Sequence, residues 1–250
     1  MRRLLPLLVF LLTCAPKHQP ESATEPIVNQ STEQFFDYMS GANALSTING
    51  IIRDRMPNLD QERRDRLAET VFEESMSCGL DPLFALAVAE VESRWDHEAV
   101  SSTGARGLYQ VIPSTWKMEV KRRQLGILEK FNLSHNARIG IGYLCYLSST
   151  FKRPESLLLA YNQGPGGATA IIQGRAEPSS EAQRYAPAVL KSYKKLLVSL
   201  GLPNDMAHIR QLFRHPESTI YTPLTCEGSP VDRPVKISKK RCTANLCMWR

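Results

Sequence analysis

The sequence predicts a mainly α domain with one short β-like segment and an irregular, cysteine-containing C-terminal extension. Three observations carry that expectation. Apolar residues recur at helical spacing, as in Leu67, Ala68, Val71 and Phe72. Helix stop and start signals bracket such stripes, as in Gly79 followed by Asp81-Pro82. One Gly/Ser turn, Ser101 to Gly107, feeds a short apolar stretch, Leu108 to Pro113, that fits a strand better than a helix. With 250 residues, 42% of them hydrophobic and 22% charged, the chain can bury a sizeable core, which excludes wholesale disorder and a collagen-like chain.

Met1-Arg2-Arg3, the apolar run Leu4 to Leu12 and Thr13-Cys14-Ala15 read as a secretory signal peptide over residues 1–15, too short to span a bilayer. Cleavage after Ala15 fits. So does cleavage before Cys14 as a lipoprotein signal, although Thr13 departs from the small residue usual there, and the sequence leaves the two open. Export follows either way, to the periplasm or cell envelope, with an outer-membrane lipoprotein among the outcomes. Residues 16–31 are rich in Pro, Ser, Thr, Glu and Gln and read as a tether.

A helical body over 32–203 follows, with its informative motifs within 60–200. Phe35, Phe36 and Met39, then Ile48, Ile51 and Ile52, suggest two helices before Pro57. Further helices are expected over Asp60–Cys78 and from Asp81-Pro82 to about Trp95. Another should run from about Ser134 to Phe151, with Asn136, Gly140, Tyr143, Leu144, Leu147 and Phe151 on one face. The helix Glu155 to Asn162 should end at the turn signal Gly164-Pro165-Gly166-Gly167. Ser180 with Gln183 matches a capping box opening a helix to Leu200. Pro187 inside it should break the helix, because an interior proline costs about 3 kcal/mol. Within the C-terminal extension, residues 204–250, one short helical stretch around Met206–Phe213 precedes an irregular tail.

The net charge is +6, and removal of Arg2 and Arg3 leaves +4. From Val231 onward Arg233, Lys236, Lys239, Lys240, Arg241 and Arg250 face only Asp232, so the basic character belongs to the tail, as a solvated surface or an anionic-polymer contact. Without aromatics interleaved along a basic stripe, and with export, nucleic acid is not the expected partner. If Cys14 is lost or lipidated, five cysteines remain: Cys78, Cys145, Cys226, Cys242 and Cys247. Three fall in the last 25 residues, so a bridge stapling the C-terminus is expected. There is no C-x-x-C pair and the histidines do not cluster, so zinc is the weaker reading and no cofactor is implied.

Two acids end the helix that precedes the Gly/Ser turn. Glu90 has Arg94 at i+4, the favourable spacing for an exposed ion pair. Glu92 has Val88 at i−4, Ala89 at i−3 and Trp95 at i+3, so it projects among apolar neighbours. A carboxyl desolvated there stays protonated near neutral pH and can act as a general acid. A solvent-facing Glu near a helix end is the other reading, and spacing alone leaves both standing.

Glu92-Ser93 followed by Ser101-x-x-Gly104-Ala105-x-Gly107-Leu108-x-Gln110 resembles the signature of the soluble lytic transglycosylases, lysozyme-like enzymes that cut bacterial peptidoglycan. Three further blocks match in order: Asn136-x-x-x-Gly140-x-x-Tyr143-Leu144, Ala160-Tyr161-Asn162-Gln163-Gly164-Pro165-Gly166, and Glu181-x-x-x-Tyr185. The resemblance implies a lysozyme-like α+β domain. It makes Glu92 the sole acid/base, Ser101 a polar group near the reacting sugar, and Gln110, Tyr161, Asn162 and Glu181 the lining of a glycan cleft. Tyr109 stands where methionine is common and Gln163 where alanine is, and both would then sit beside substrate. Ala182 stands where threonine is usual, and Ala186-Pro187 follows Tyr185.

The resemblance further implies cleavage between N-acetylmuramic acid and N-acetylglucosamine without water, leaving 1,6-anhydro ends. Peptidoglycan strands are the expected partner, with the membrane added if Cys14 is lipidated. Two other readings share these residues: hydrolysis of the goose-type lysozyme kind, and a non-catalytic peptidoglycan-binding assembly protein.

Overall fold

The computed structural model describes residues 41–202 and 204. The signal peptide, the tether, the helix at Phe35–Met39, the stretch Met206–Phe213 and the tail with Cys226, Cys242 and Cys247 lie outside the described residues. Seven helices make up the described part: α1 (Gly41–Arg55), α2 (Gln61–Met76), α3 (Pro82–Ser93), α4 (Pro113–Arg123), α5 (Leu133–Ser148), α6 (Pro154–Ile172) and α7 (Ser180–Ser199).

Helix α3 is the centre. Asp81 caps it by accepting the Leu83 N–H at 2.9 Å, Pro82 opens it, and every residue from Pro82 to Ala89 is buried. A helix apolar on all sides must be wrapped by others. Helix α7 packs along it, with Tyr193 edge-on to Phe84 at 5.5 Å and its hydroxyl donating to the capping Asp81 carboxylate. Helices α2 and α5 form the other extensive pair, and a Cys78–Cys145 disulfide ties the end of α2 to α5. Among the described residues the one bridge therefore lies within the helical body.

Several sequence expectations are corrected. Helix α7 runs unbroken through Pro187, because that residue is exposed while Ala182, Tyr185, Val189, Leu190, Tyr193, Leu196 and Leu197 make one buried face across it. Burying large apolar side chains is worth about 1.5–3 kcal/mol each, which outweighs one lost helical hydrogen bond. Its cap is Ser179, accepting the Ala182 N–H at 3.1 Å, one residue before the expected Ser180. Helix α6 departs from helical geometry at Gly164 (φ 73, ψ 159) and resumes at once, so the expected turn is a break inside a longer helical run. Arg94 lies outside α3 in the left-handed region (φ 53), and Glu90 instead meets Arg55 at 3.5 Å and accepts the Ser192 hydroxyl at 3.1 Å.

Helix α4 was not foreseen, because it buries only Trp116 and Glu119 and so lacks an apolar stripe. It is held electrostatically. The fully buried Glu119 takes two hydrogen bonds from Arg122, at 2.9 and 2.6 Å. Next to it, Arg123 makes a two-pronged pair with Glu74 of α2, which also meets Arg138 of α5 at 3.1 Å. The β-like segment is two isolated antiparallel bridges, Val100 with Arg106 and Arg106 with Val111.

Replacing Cys78 and Cys145 together by alanine is expected to lower the unfolding free energy by about 2–4 kcal/mol, since the bridge closes a long loop. A urea midpoint that does not move would show that the bridge contributes nothing to stability.

Candidate active site

Glu92 is the penultimate residue of α3. After it the chain turns through two consecutive left-handed residues, Arg94 (φ 53) and Trp95 (φ 69), and leaves the helix axis. Trp95 is buried, which anchors the turn. The Glu92 side chain enters the space between α3, α6 and α7, where the Tyr185 hydroxyl donates to its Oε1 at 2.5 Å. Desolvation pushes the Glu92 carboxyl up from 4.5 to about 7. The nearby Glu181 charge acts in the same direction, and the Tyr185 hydrogen bond opposes both. Burial likewise holds the Tyr185 and Tyr161 phenols well above their usual range, with the Glu92 charge adding to each.

Four groups thus converge: Glu92, Tyr161, Glu181 and Tyr185. Glu181 stands exposed in the first turn of α7, one helical turn before Tyr185. Tyr161 of α6 donates its hydroxyl to the Tyr109 carbonyl at 2.9 Å, which joins α6 to the loop after α3. Tyr185 received no role from the sequence. The signal that could have given it one is its i+4 spacing from Glu181, which puts both on one face of α7.

The other expected site residues organise the loop. The Ser101 hydroxyl accepts the Ala105 N–H at 3.0 Å and shares a hydrogen bond of 2.9 Å with Thr103. Gln110, itself left-handed (φ 43), donates its side-chain amide to the carbonyls of Ala99 at 3.0 Å and Gly107 at 2.9 Å. Asn162, half-buried beside Tyr161, accepts from the Gln163 amide at 2.6 Å.

Tyr109 has no open surface of the kind a cleft residue needs. It is fully buried against Gly140 of α5, where an added Cβ would lie 2.4 Å from the Tyr109 Cβ. Gly107 combines a left-handed backbone (φ 75) with an equally close approach to Asn136, so no other residue fits without displacement. Asn136, 1% exposed, accepts the Tyr109 N–H at 2.8 Å and donates to the carbonyls of Arg106 and Lys130, each at 2.9 Å. The motif Asn136-x-x-x-Gly140 is therefore the seat of the loop. Among the described residues, no group of three or more His, Cys, Asp or Glu side chains could hold a metal ion, and no helix is long and apolar enough to cross a membrane.

A bundle of helices around one apolar helix, whose last turn presents a desolvated carboxyl over a glycine-rich loop, defines a lysozyme-like protein. Residues 69–183, just under half of the chain, match the family model of the transglycosylase SLT domain. The chain is 27% identical over 206 residues to a membrane-bound lytic murein transglycosylase C of Klebsiella pneumoniae, covering 65% of this chain and 57% of the relative. It is 25% identical over 162 residues to the Photorhabdus laumondii protein of the same name, covering 60% and 44%. Among solved structures, an inactive Glu-to-Gln mutant of the lytic transglycosylase Slt from Pseudomonas aeruginosa shares the fold, at a TM-score of 0.51 and 22% identity, covering 70% of this chain and 30% of that one. The chain spans about half the length of these curated relatives.

Two predictions follow from the burial of Glu92. Its carboxyl ionises with more difficulty folded than unfolded, so between pH 4.5 and about 7 the native state holds the extra proton and stability falls as pH rises. Glu92→Gln, which cannot ionise, should leave stability unchanged near pH 4 and raise it by up to about 3 kcal/mol above pH 7. Equal stability of the two proteins at both ends of that range would mean the carboxyl is not desolvated. Tyr185→Phe removes the one interaction that lowers the Glu92 pKa, so carboxyl NMR should place its titration higher still, and an unmoved or lower midpoint would contradict the hydrogen bond.

Proposed function

We propose that this protein is a lytic murein transglycosylase that cleaves the β-1,4 bond between N-acetylmuramic acid and N-acetylglucosamine with Glu92 as its only acid/base. The observation that carries the reading is the placement of Glu92 in the last turn of α3, hydrogen-bonded by Tyr185 and desolvated so that its carboxyl is pushed up to about 7. A group poised there gives up a proton and takes one back at neutral pH, as a single residue serving as acid and then base must. The SLT-domain match over 69–183 and the names of the relatives support the same activity. The solved Pseudomonas aeruginosa Slt that shares the fold is an inactive Glu-to-Gln mutant.

Glu92 donates its proton to the glycosidic oxygen as the bond from the muramic C1 to that oxygen breaks. The substrate's own N-acetyl group stabilises the positive charge developing at C1. The muramic 6-hydroxyl then bonds to C1, and its proton passes to the carboxylate of Glu92, which restores the starting state. No water enters, so the product carries a 1,6-anhydro ring. Tyr185 steadies the Glu92 carboxylate between the two transfers, and Glu181 favours its reprotonation. Gln110 and Ser101 hold the loop shape, while Tyr161, Asn162 and Glu181 line the glycan side.

The expected setting is the cell envelope, reached through the segment 1–15 with or without a lipid on Cys14, and the catalytic domain occupies 32–203 between a tether (16–31) and a basic extension (204–250). Glu181 is a second carboxylate near Glu92, and ordinary glycosidases use two, so a hydrolytic lysozyme-like course is the reading that must be separated by product.

Mass spectrometry of muropeptides released from purified peptidoglycan separates them. Anhydro-muramic ends are expected, lighter by one water than hydrolysed ends, and reducing ends would overturn the lytic assignment. Glu92→Gln should lose at least about a hundredfold in rate while still binding glycan, and a variant with near-wild-type activity would remove Glu92 from the mechanism. Because the donor must be protonated, kcat/KM should fall as pH rises through about 7.

A further inference from the structure

Ser192 sets a hydroxyl into the apolar face of α7, buried together with Val189 and Leu196 of the same helix, and it bonds outside that helix. A hydroxyl inside a helix usually turns back on a carbonyl of the preceding turn. Thr70 does so on Arg66, Ser93 on Ala89 and Ser199 on Leu196. Ser192 instead donates to Glu90 Oε2 of α3 at 3.1 Å, the oxygen that the Arg55 guanidinium of α1 meets at 3.5 Å. A hydrogen bond to a carboxylate is stronger than one between neutral groups, and it is directional where apolar contact is not.

Helix α3 counts Ala85, Ala87 and Ala89 among its buried residues. Small side chains make shallow ridges, which hold the axial position of a neighbouring helix loosely. Three polar bonds between α3 and α7 supply what packing leaves open: Tyr193 to Asp81, Ser192 to Glu90 and Tyr185 to Glu92. Glu90 and Glu92 are two residues apart and leave α3 in different directions, yet both reach α7. Tyr185 and Ser192 are seven residues apart, two turns along one side of α7. A slide or rotation of α7 that opened the bond to Glu90 would therefore carry the Tyr185 hydroxyl off Glu92. The Tyr185 bond is a poor guardian of its own register, because it weakens each time Glu92 takes up a proton. The bond to Glu90 takes no part in that transfer.

We propose that Ser192 is a positioning residue for the acid/base at Glu92, holding α7 through Glu90 in the register at which the Tyr185 hydroxyl meets the Glu92 carboxyl. The inference rests on the reading of Glu92 as the acid/base. Ser192 is uncharged and lies about 10 Å along α7 from Tyr185, so removing its hydroxyl leaves the charges around Glu92 as they are. The groups that face Glu92, Tyr185 and Glu181 from α7 and Tyr161 from α6, all stay in the chain. A change in the titration of Glu92 then reports a change in where Tyr185 stands.

The test is Ser192→Ala, read by carboxyl NMR and by kinetics on peptide-free murein glycan strands. The Glu92 midpoint should rise, by less than Tyr185→Phe raises it, and the fall of kcat/KM with pH should move to higher pH with it. At neutral pH kcat should drop about two- to tenfold, the effect of one weakened hydrogen bond, with KM within about twofold of wild type. In the Tyr185→Phe background Ser192→Ala should shift neither midpoint nor kcat further, since its effect runs through that hydroxyl. Ser199→Ala, which removes a hydroxyl bonded to the Leu196 carbonyl of the same helix, should leave every reading at the wild-type value. An unmoved or lower Glu92 midpoint in Ser192→Ala, with or without a loss of thermal stability, would overturn the proposal. Equal shifts with and without the Tyr185 hydroxyl would overturn it too, as would an equal shift in Ser199→Ala. Because the titration does not depend on cleavage, failure of the wild-type protein to release anhydro ends would count against the role of Glu92, while the midpoints would still decide what Ser192 positions.

Discussion

The structure turns on a carboxyl group kept away from water at the end of an apolar helix. Glu92 stands in the last turn of α3, and it is desolvated there because Tyr185 of α7 bonds it and Tyr161 of α6 lies close by. Ending a helix at a carboxyl has an electrostatic consequence as well, since the helix C-terminus carries partial negative charge and disfavours a second one. Desolvation, the Glu181 charge and the helix end all favour the proton, and the Tyr185 hydroxyl opposes them. The balance lies near neutrality because these contributions are of unlike sign. The same arrangement makes the native protein less stable at neutral pH than it would be with an uncharged side chain, the usual relation between a desolvated ionisable group and its host.

Holding Glu92 in place is the task of elements far from it in sequence. The loop 99–111 has almost no regular structure, only two bridges, yet one buried side chain, Asn136, satisfies its Tyr109 N–H and Arg106 carbonyl together with the Lys130 carbonyl just before α5. Helix α5 in turn is fixed to α2 by the Cys78–Cys145 bridge and by the Glu74 cluster with Arg123 and Arg138. These buried charges are expensive to desolvate, and breaking one partner would leave an uncompensated ion. Their placement at the α2, α4 and α5 junction suits orientation more than raw stability, because α4 has little apolar surface to define its position.

Much of this was legible in the sequence where local chemistry and tertiary packing agree. The Asp81-Pro82 start, the Asp60 start of α2 and the apolar faces of α2 and α5 follow from spacing and cap residues alone, whereas for Glu92 spacing offered desolvation as one of two readings. What was not legible required knowledge of what lies opposite. Pro187 reads as a helix breaker until Tyr185 and Val189 are seen to pack on α3. Tyr109 reads as a cleft residue until Gly140 is seen beneath it. Helix α4 is almost silent because buried salt bridges, which leave no periodic trace, replace the apolar stripe. The partnership of Tyr185 with Glu92 joins residues 93 positions apart, and nothing local announces it.

Backbone strain is concentrated where the site is built. The non-glycine left-handed residues outside the C-cap of α4 are Arg94, Trp95 and Gln110, and they bracket the loop that follows Glu92. Such conformations cost on the order of 1 kcal/mol or more each and persist only when their surroundings over-determine them. Here they do: Trp95 is buried, Arg94 donates its N–H to Glu90, and the Gln110 amide bonds two loop carbonyls. Gln110 is thus explained twice, by the strained backbone it occupies and by the side chain that locks the loop in that shape. A residue in such a motif can therefore be required for function without touching the substrate, because the loop would relax away from Glu92 if its brace were lost.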